Sequence, residues 1–356
     1  MNEIFGKYRV YYETATRLTN YIDFNEISYF LPKYKIPCKT IICNLIFYPK
    51  IVKNSLRKDT DLVHVWSQEE AFIINKFKFN TKTIVTCLDI IPILYKKNNG
   101  LIYASFIKYS LKGMKKSDRI ITISKHVKND LVRHFSISEE KINVIYLGVN
   151  EHYKPIPENE IEKIKYKYNL KFPFILYVGS EQPRKNFPTL IKAFYKLKTK
   201  YGFNNIKLVK AGNPQISKYK RKHIMKLIDK LNLQKDIIFT GYVPEEDLPA
   251  LYNAADLFVY PSIYEGFGLP PLEAMACGTP VITSNTSSLP EVVGDAGIMV
   301  DPYDVDGLSK AMYEVLTNDG LREELRKKGL ERAKLFSWKE CAEEHLKVYE
   351  EVYNMK

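Results

Sequence analysis

The chain has 356 residues, a net charge of +13, 45% apolar residues and 27% charged residues. At roughly 100–200 residues per domain this length points to two domains, and the apolar content excludes a mostly disordered chain. The longest uncharged apolar run in the N-terminal half, residues 40–49, is about half the ~20 residues a spanning helix needs, which argues against a membrane-spanning protein.

The opening MNEIFGKYRV lacks the apolar stretch of a signal peptide, so none is expected. The next segment, residues 11–30, has helical spacing, with Leu18, Tyr21 and Ile22 on one stripe. Short apolar, often β-branched runs follow at residues 40–47 (TIICNLIF), 62–66 (LVHVW), 83–88 (TIVTCL), 119–123 (RIITI) and 142–146 (INVIY). Such runs read as parallel strands covered on both faces. Residues 124–135 (SKHVKNDLVRHF) read as a helix capped by Ser124. Strand alternating with helix predicts a doubly wound α/β domain.

The polar, proline-bearing stretch 148–173 marks the domain boundary, and the alternation then restarts. Strands are expected at 174–178, 206–210, 237–239, 257–260, 281–283 and 297–300. Helices are expected at 188–200, 219–231, 245–254, 271–277 and 306–317, and almost continuously over 320–353. The boundaries are set at 1–155, 156–340 and a terminal helix 341–356 packing back on the first domain. The five cysteines, Cys38, Cys43, Cys87, Cys277 and Cys341, are odd in number, scattered and without a CxxC pair. They fit a reducing, cytoplasmic setting and argue against a disulfide framework or a zinc ribbon.

Ligands of doubly wound sheets bind at the carboxyl ends of the strands, which directs attention to two loops of the second domain. After FILYV comes GSEQPRKN, where Gly179 lets the backbone approach a ligand and Arg184 and Lys185 supply two adjacent cations suited to a diphosphate. After LFVY comes PSIYEGFGLPPLE. Here Gly266 and Gly268 permit close approach, prolines open a helix, and the helix start makes an anion site. Glu265 lies in that loop and Glu273 about one turn into the helix, two carboxylates able to accept from vicinal sugar hydroxyls. Asp304 and Asp306 look like a D-x-D metal motif, but their place just before GLSKAMYEVL reads as an N-cap.

The segment EGFGLPPLEAMACGTPVITSNTSSLPEVVGDAGIMVDP resembles the signature region of the family 4 (group 1) retaining glycosyltransferases of GT-B fold. GSEQPRKN resembles that family's diphosphate loop, GYVPEEDLPALYNAADLFVYPS the approach to the motif, and RIITISKHVKNDLVRHF and INVIYLGVN its first domain. The resemblance implies two facing Rossmann-like domains with a cleft between them. It also implies transfer of a sugar from a nucleotide-sugar with retention of configuration and without a bound metal or other cofactor. It assigns Glu273 to the ribose hydroxyls and Glu265 to the donor sugar. The backbone of Gly266, Phe267, Gly268 and Leu269 is assigned to sugar and phosphate, Gly241, Tyr242 and Val243 to the base, and Arg184 and Lys185 to the departing diphosphate.

The first domain departs from the pattern. Leu88 of TIVTCLDIIPIL stands where the family has a histidine, leaving Asp89 with the local polar role, toward the acceptor; His64 is read as a structural strand-end residue. FGKYRVYYETATRL matches the family's glycine-rich loop with one glycine, Gly6, and no first strand before it. Charge is uneven as well: residues 1–150 carry 24 basic and 13 acidic residues, the remainder 30 and 28. The basic half is expected to meet an anionic acceptor. Lys108, Lys112, Lys115, Lys116, Lys125 and Lys128, with Phe106, Tyr109 and Met114, form a patch suited to a lipid-diphosphate acceptor and to peripheral association with the inner face of an anionic membrane. The expected reaction is transfer of a hexose, first mannose, from a GDP- or UDP-linked donor to a glycan or lipid-linked acceptor. An epimerase or phosphorylase of the same fold is the alternative. A nucleic-acid-binding protein ranks below both, for want of any helix-turn-helix, zinc or RNA-stacking signature.

Overall fold

Strands form where the short β-branched runs stand, because only a site covered on both faces accepts a run without polar alternation. The computed structural model describes residues 6–18, 22, 52, 54, 56, 57, 59–95 and 101–355. The chain divides into two compact units, Met1–Gly148 with Trp338–Lys356, and Val149–Ser337. The expected strand at 40–47 and most of the first helix beyond Leu18 lie outside the described residues.

In the first unit, β1 (Leu62–Val65), β2 (Lys82–Cys87), β3 (Arg119–Thr122) and β4 (Ile142–Val144) form a parallel sheet in that order. Ile84, Val85, Ile120 and Ile121 are fully buried in it. The helix after β3, Lys125–Phe135, starts as expected: the Ser124 hydroxyl accepts from the Val127 amide at 3.1 Å. The first helix, Gly6–Leu18, begins earlier than its spacing predicts. It packs against Trp338–Tyr353, where Trp66 stacks on His345 with ring centroids 5.4 Å apart. His64 is structural, as read: its ring nitrogens meet Tyr349 Oη at 2.6 Å and Thr86 Oγ1 at 2.8 Å.

The second unit holds β5 (Phe174–Val178), β6 (Lys207–Ala211), β7 (Ile237–Gly241), β8 (Leu257–Tyr260), β9 (Val281–Ser284) and β10 (Ile298–Val300). Their order is β10-β9-β8-β5-β6-β7, all parallel. The order reverses between β5 and β8, so the loops after these two strands open at the switch point where doubly wound sheets hold ligands. Phe174, Leu176, Phe258 and Tyr260 are fully buried, and burying each such side chain contributes roughly 1.5–3 kcal/mol. The long C-terminal helix read from the sequence is two helices, Asp319–Ala333 and Trp338–Tyr353. The break falls where the chain passes from the second unit to the first, and Ser337 there bridges to Val149 instead of continuing the helix. Asp304 is an N-cap, its Oδ1 accepting from Gly307 N at 2.8 Å, while Asp306 pairs with Lys196 at 2.6 Å.

Candidate active site

The loop after β5 ends in a tight 3-10 turn, Pro183–Lys185, closed by Lys185 N–H donating to Gln182 O at 2.8 Å. Proline fixes φ and Asn186 follows in the left-handed region, φ 58°, which turns the chain into helix Phe187–Tyr201. Arg184 and Lys185 are thereby aimed from a rigid turn. The loop after β8 lies against that turn: Ile263 N–H donates to Arg184 O at 2.7 Å, and Ser262 Oγ lies 3.0 Å from the same carbonyl.

Glu265 joins the two loops. Its Oε2 accepts from Arg184 Nη1 at 3.0 Å, and its Oε1 accepts from Lys185 Nζ at 2.7 Å, Ser262 Oγ at 2.5 Å and Tyr260 Oη at 3.0 Å. Lys185 also donates to Tyr260 Oη. The three charged side chains are only 10–16% exposed. Burial by itself raises the Glu265 pKa, but Lys185 and then Arg184 outweigh it and hold the carboxyl at about 2. At neutral pH Glu265 is therefore an ionised acceptor and not a proton donor. Tyr260 is pushed far above its ordinary value by burial and by the Glu265 charge, so it stays a neutral hydroxyl donor.

Past Glu265 the chain is shaped for close approach. Glu265 N–H donates to Ser287 Oγ at 2.9 Å, and Ser288 Oγ lies 3.0 Å from Glu265 O. Gly268 takes φ 130°, a conformation closed to L side chains, and a Cβ there would stand 2.9 Å from Leu289 Cδ2. Helix Leu269–Ala276 starts immediately after it, with proline in its first turn and no side-chain cap. Its amide end faces the loop as a partial positive charge. Glu273 sits in the middle of this helix, 3% exposed, with Oε2 accepting from Tyr252 Oη at 2.8 Å.

Two further backbone positions complete the carboxyl edge. Gly179 N–H donates to Ala211 O at 3.0 Å, and Gly212 N–H donates to Gly241 O at 2.7 Å, so the loops after β5, β6 and β7 lie side by side. Gly241 has φ 72° and leads into exposed Tyr242 and buried Val243. The structure thus joins Arg184, Lys185 and Glu265 directly, puts Gly266, Phe267, Gly268 and Leu269 beside them, and sets Gly179 and Gly241–Val243 on the same edge.

Asp89 belongs to the first unit. It lies just past β2, its Oδ1 accepting from Ile91 N at 2.9 Å, which stabilises the short helix Ile91–Leu94. The lysine patch is partly confirmed in exposure and partly corrected. Lys108, Lys112, Lys115, Lys116 and Lys125 are exposed, but Phe106 and Met114 are buried in the core and offer no apolar surface. Helix Leu101–Lys116 places them on its inner face by its 3.6-residue period.

Sequence reasoning missed Tyr260, Ser262, Ser287 and Tyr252. Tyr260 and Ser262 adjoin the glutamate loop and their hydroxyls were available as a signal. Tyr252 meets Glu273 from another helix, 21 positions away, and no local pattern marks it.

The profile described as "Glycosyl transferases group 1" matches residues 158–332, and that described as "Glycosyltransferase Family 4" matches residues 19–153. O-antigen chain mannosyltransferase B of Escherichia coli is 39% identical over 231 residues, covering 65% of this chain and 60% of that protein. The serotype-specific mannosyltransferase WbdA of Escherichia coli is 35% identical over 266 residues, covering 73% of this chain and 32% of that protein. The matched part therefore spans from a third to three fifths of these relatives' length. Among solved structures, sucrose-phosphate synthase from Thermosynechococcus elongatus superimposes with a TM-score of 0.75 at 25% identity, covering 90% of this chain and 81% of that one. With both profiles matched in sequence and the parallel-sheet units matched in structure, the chain belongs to the group 1, family 4 glycosyltransferases and has their GT-B fold.

Proposed function

We propose that the chain is a retaining hexosyltransferase that moves mannose from a nucleotide-sugar to a glycan or lipid-linked acceptor without requiring a metal ion. The observation that carries this reading is the Glu265–Arg184–Lys185 knot beside the start of helix Leu269–Ala276. A donor diphosphate is an anion of the kind that knot accommodates. On binding, its oxygens take over hydrogen bonds of Arg184 and Lys185, and Glu265 turns an ionised carboxylate to hydroxyls of the donor sugar. As the glycosidic bond to phosphate breaks, negative charge grows on the leaving oxygen. Two fixed cations and the helix amides stabilise it where water is largely excluded. This supplies the neutralisation that a divalent ion would otherwise provide.

The remaining roles follow from the edge of the sheet. Glu273, on the same helix, accepts from the ribose hydroxyls. Gly266, Phe267, Gly268 and Leu269 present backbone amides to sugar and phosphate. Gly179 leaves room at the diphosphate, and Gly241, Tyr242 and Val243 flank the base. Asp89 serves the acceptor. Mannose is favoured by the two mannosyltransferase relatives, and a GDP-linked donor is tried first, then a UDP-linked one.

The exposed lysines of helix Leu101–Lys116, which contains no acidic residue, support an anionic acceptor and peripheral contact with an anionic membrane face. No helix among the described residues is long and apolar enough to cross a membrane.

The test is incubation of the protein with GDP-mannose, GDP-glucose, UDP-glucose and UDP-N-acetylglucosamine, with and without a polyprenyl-diphosphate-linked glycan. The expected result is a thermal shift with one donor, nucleotide release that depends on acceptor, an α-linked product, and no loss of rate with a chelator. Absence of a shift with every donor refutes the reading. Sugar conversion without acceptor points to an epimerase instead.

A further inference from the structure

A lysine in the middle of the six-stranded sheet is out of place. Lys210 is the fourth residue of β6 and only 1% exposed, where β-branched or apolar residues would pack. Its nearest counter-charge is Glu181 of the β5 loop, with Nζ and Oε1 3.7 Å apart and the Glu181 side chain fully buried. Arg221, from helix Lys218–Lys230, approaches the other carboxylate oxygen at 3.7 Å and lays its guanidinium over the Phe239 ring of β7. Neither oxygen of Glu181 accepts a hydrogen bond at normal distance. Removing two charges from water costs several kcal/mol per ion, and this loose geometry returns less than a tight pair would. An apolar pair of similar volume would serve stability as well or better, so stability does not account for the pair.

What the pair does is tie two loops together. Lys210 Nζ donates to Gly212 O at the end of its own strand and faces Glu181 at 3.7 Å, and Glu181 N–H donates to Pro214 O at 2.8 Å, so a charge pair and a backbone bond link the β5 loop to the β6 loop. Gly212 in turn lies so close to Gly179 that a Cβ on it would stand 3.1 Å from Gly179 O. From Glu181 the chain runs straight into the closed turn Pro183–Lys185. Only Gln182 separates Glu181 from that turn, so the place of Glu181 bears on where Arg184 and Lys185 are aimed. We propose that Lys210 and Glu181 are positioning residues for the donor diphosphate, holding the loop that aims Arg184 and Lys185 while touching no part of the donor themselves. This rests on the donor-site reading above.

The experiment compares the affinities of GDP and GMP, and of UDP and UMP, in wild type, Lys210→Met, Glu181→Gln and the double variant. Thermal unfolding of each is recorded in parallel. The diphosphate-to-monophosphate affinity ratio is expected to fall at least tenfold in each single variant, with the double variant no worse than the weaker single. Because a lone buried charge can prevent folding, Lys210→Met with Glu181→Leu, an apolar pair, is measured as well. Its ratio is expected to fall tenfold with the melting temperature kept. A ratio within twofold of wild type in the folded variants overturns the proposal, whatever happens to their stability. Wild type that binds no nucleoside diphosphate at all overturns the donor-site reading, and this inference with it.

Discussion

Replacing Glu265 by glutamine keeps the shape of the side chain and removes the charge that Arg184 and Lys185 share. Two independent routes give the cost. A free glutamate titrates near 4.5 and Glu265 near 2, so at 1.36 kcal/mol per pH unit the ionised form stabilises the fold by about 3 kcal/mol. Breaking a buried ion pair by removing one partner costs about 3–5 kcal/mol, because the remaining charges lose their counter-ion in a dry setting. For a unit of this size each kcal/mol moves the melting temperature by roughly 2–4 °C, so Glu265→Gln is expected to melt about 6–12 °C below wild type at pH 7. The sign is fixed by the direction of the shift. The folded-state pKa is depressed, so the contribution is complete above pH 4.5 and is lost as pH falls toward 2. The gap between variant and wild type must therefore close over that interval. GDP or UDP is expected to stabilise the variant more than the wild type, since the diphosphate then meets two cations that lack their carboxylate. Calorimetric or circular-dichroism melts at pH 7, 4.5 and 3 check all three points. A variant melting within about 2 °C of wild type at pH 7, or a gap that stays constant with pH, refutes the electrostatic account of this site.

Lys185→Met is expected to lower the transfer rate by roughly 10²–10³-fold in initial-rate assays while the fold persists, as when one stabilising donor of a developing oxyanion is removed. A fall of less than about threefold would show that Lys185 does not meet the leaving group. Gly268→Ala forces an L side chain to φ 130° against Leu289, and a loss of about 1–3 kcal/mol in denaturant melts is expected, with donor binding impaired alongside. In the first unit, burial pulls His345 down to about 4 against the ordinary 6.5, with the Cys341 carbonyl opposing. Stability from its neutral form is thus present above pH 6.5 and declines as pH falls to 4, by about 3 kcal/mol. His345→Leu should flatten the melting temperature over that range, and an unchanged acid slope would assign the sensitivity elsewhere, His64 first.

The fold was readable because its signals are local. FILYV and LFVY read as strands because apolar β-branched and aromatic runs of that length suit a strand covered on both faces, which is where they lie. Ser124 and Asp304 cap helices through bonds to amides three residues on, which spacing predicts. Errors came where a non-local contact overrode a pattern. The 320–353 stretch has uniform helical periodicity, yet it breaks at Ser337, where the chain changes unit. Phe106 and Met114 share a helix with four exposed lysines, Lys108, Lys112, Lys115 and Lys116, but turn inward, because the side they occupy is decided by what helix Leu101–Lys116 packs against.

The sequence by itself determined the class of fold, the loops worth attention and the chemical types in them: a basic pair, glycines before a helix, and two carboxylates. Residues adjacent in the chain carry these, so spacing suffices. Only the tertiary structure decided their partners. Arg184 and Lys185 reach Glu265 across some 80 positions, Tyr252 reaches Glu273 across 21, and Lys210 finds Glu181 beneath the loop. The ionisation of Glu265 depends on which charges stand within a few ångströms of it in a setting with little water, and strand order, not sequence distance, sets that neighbourhood.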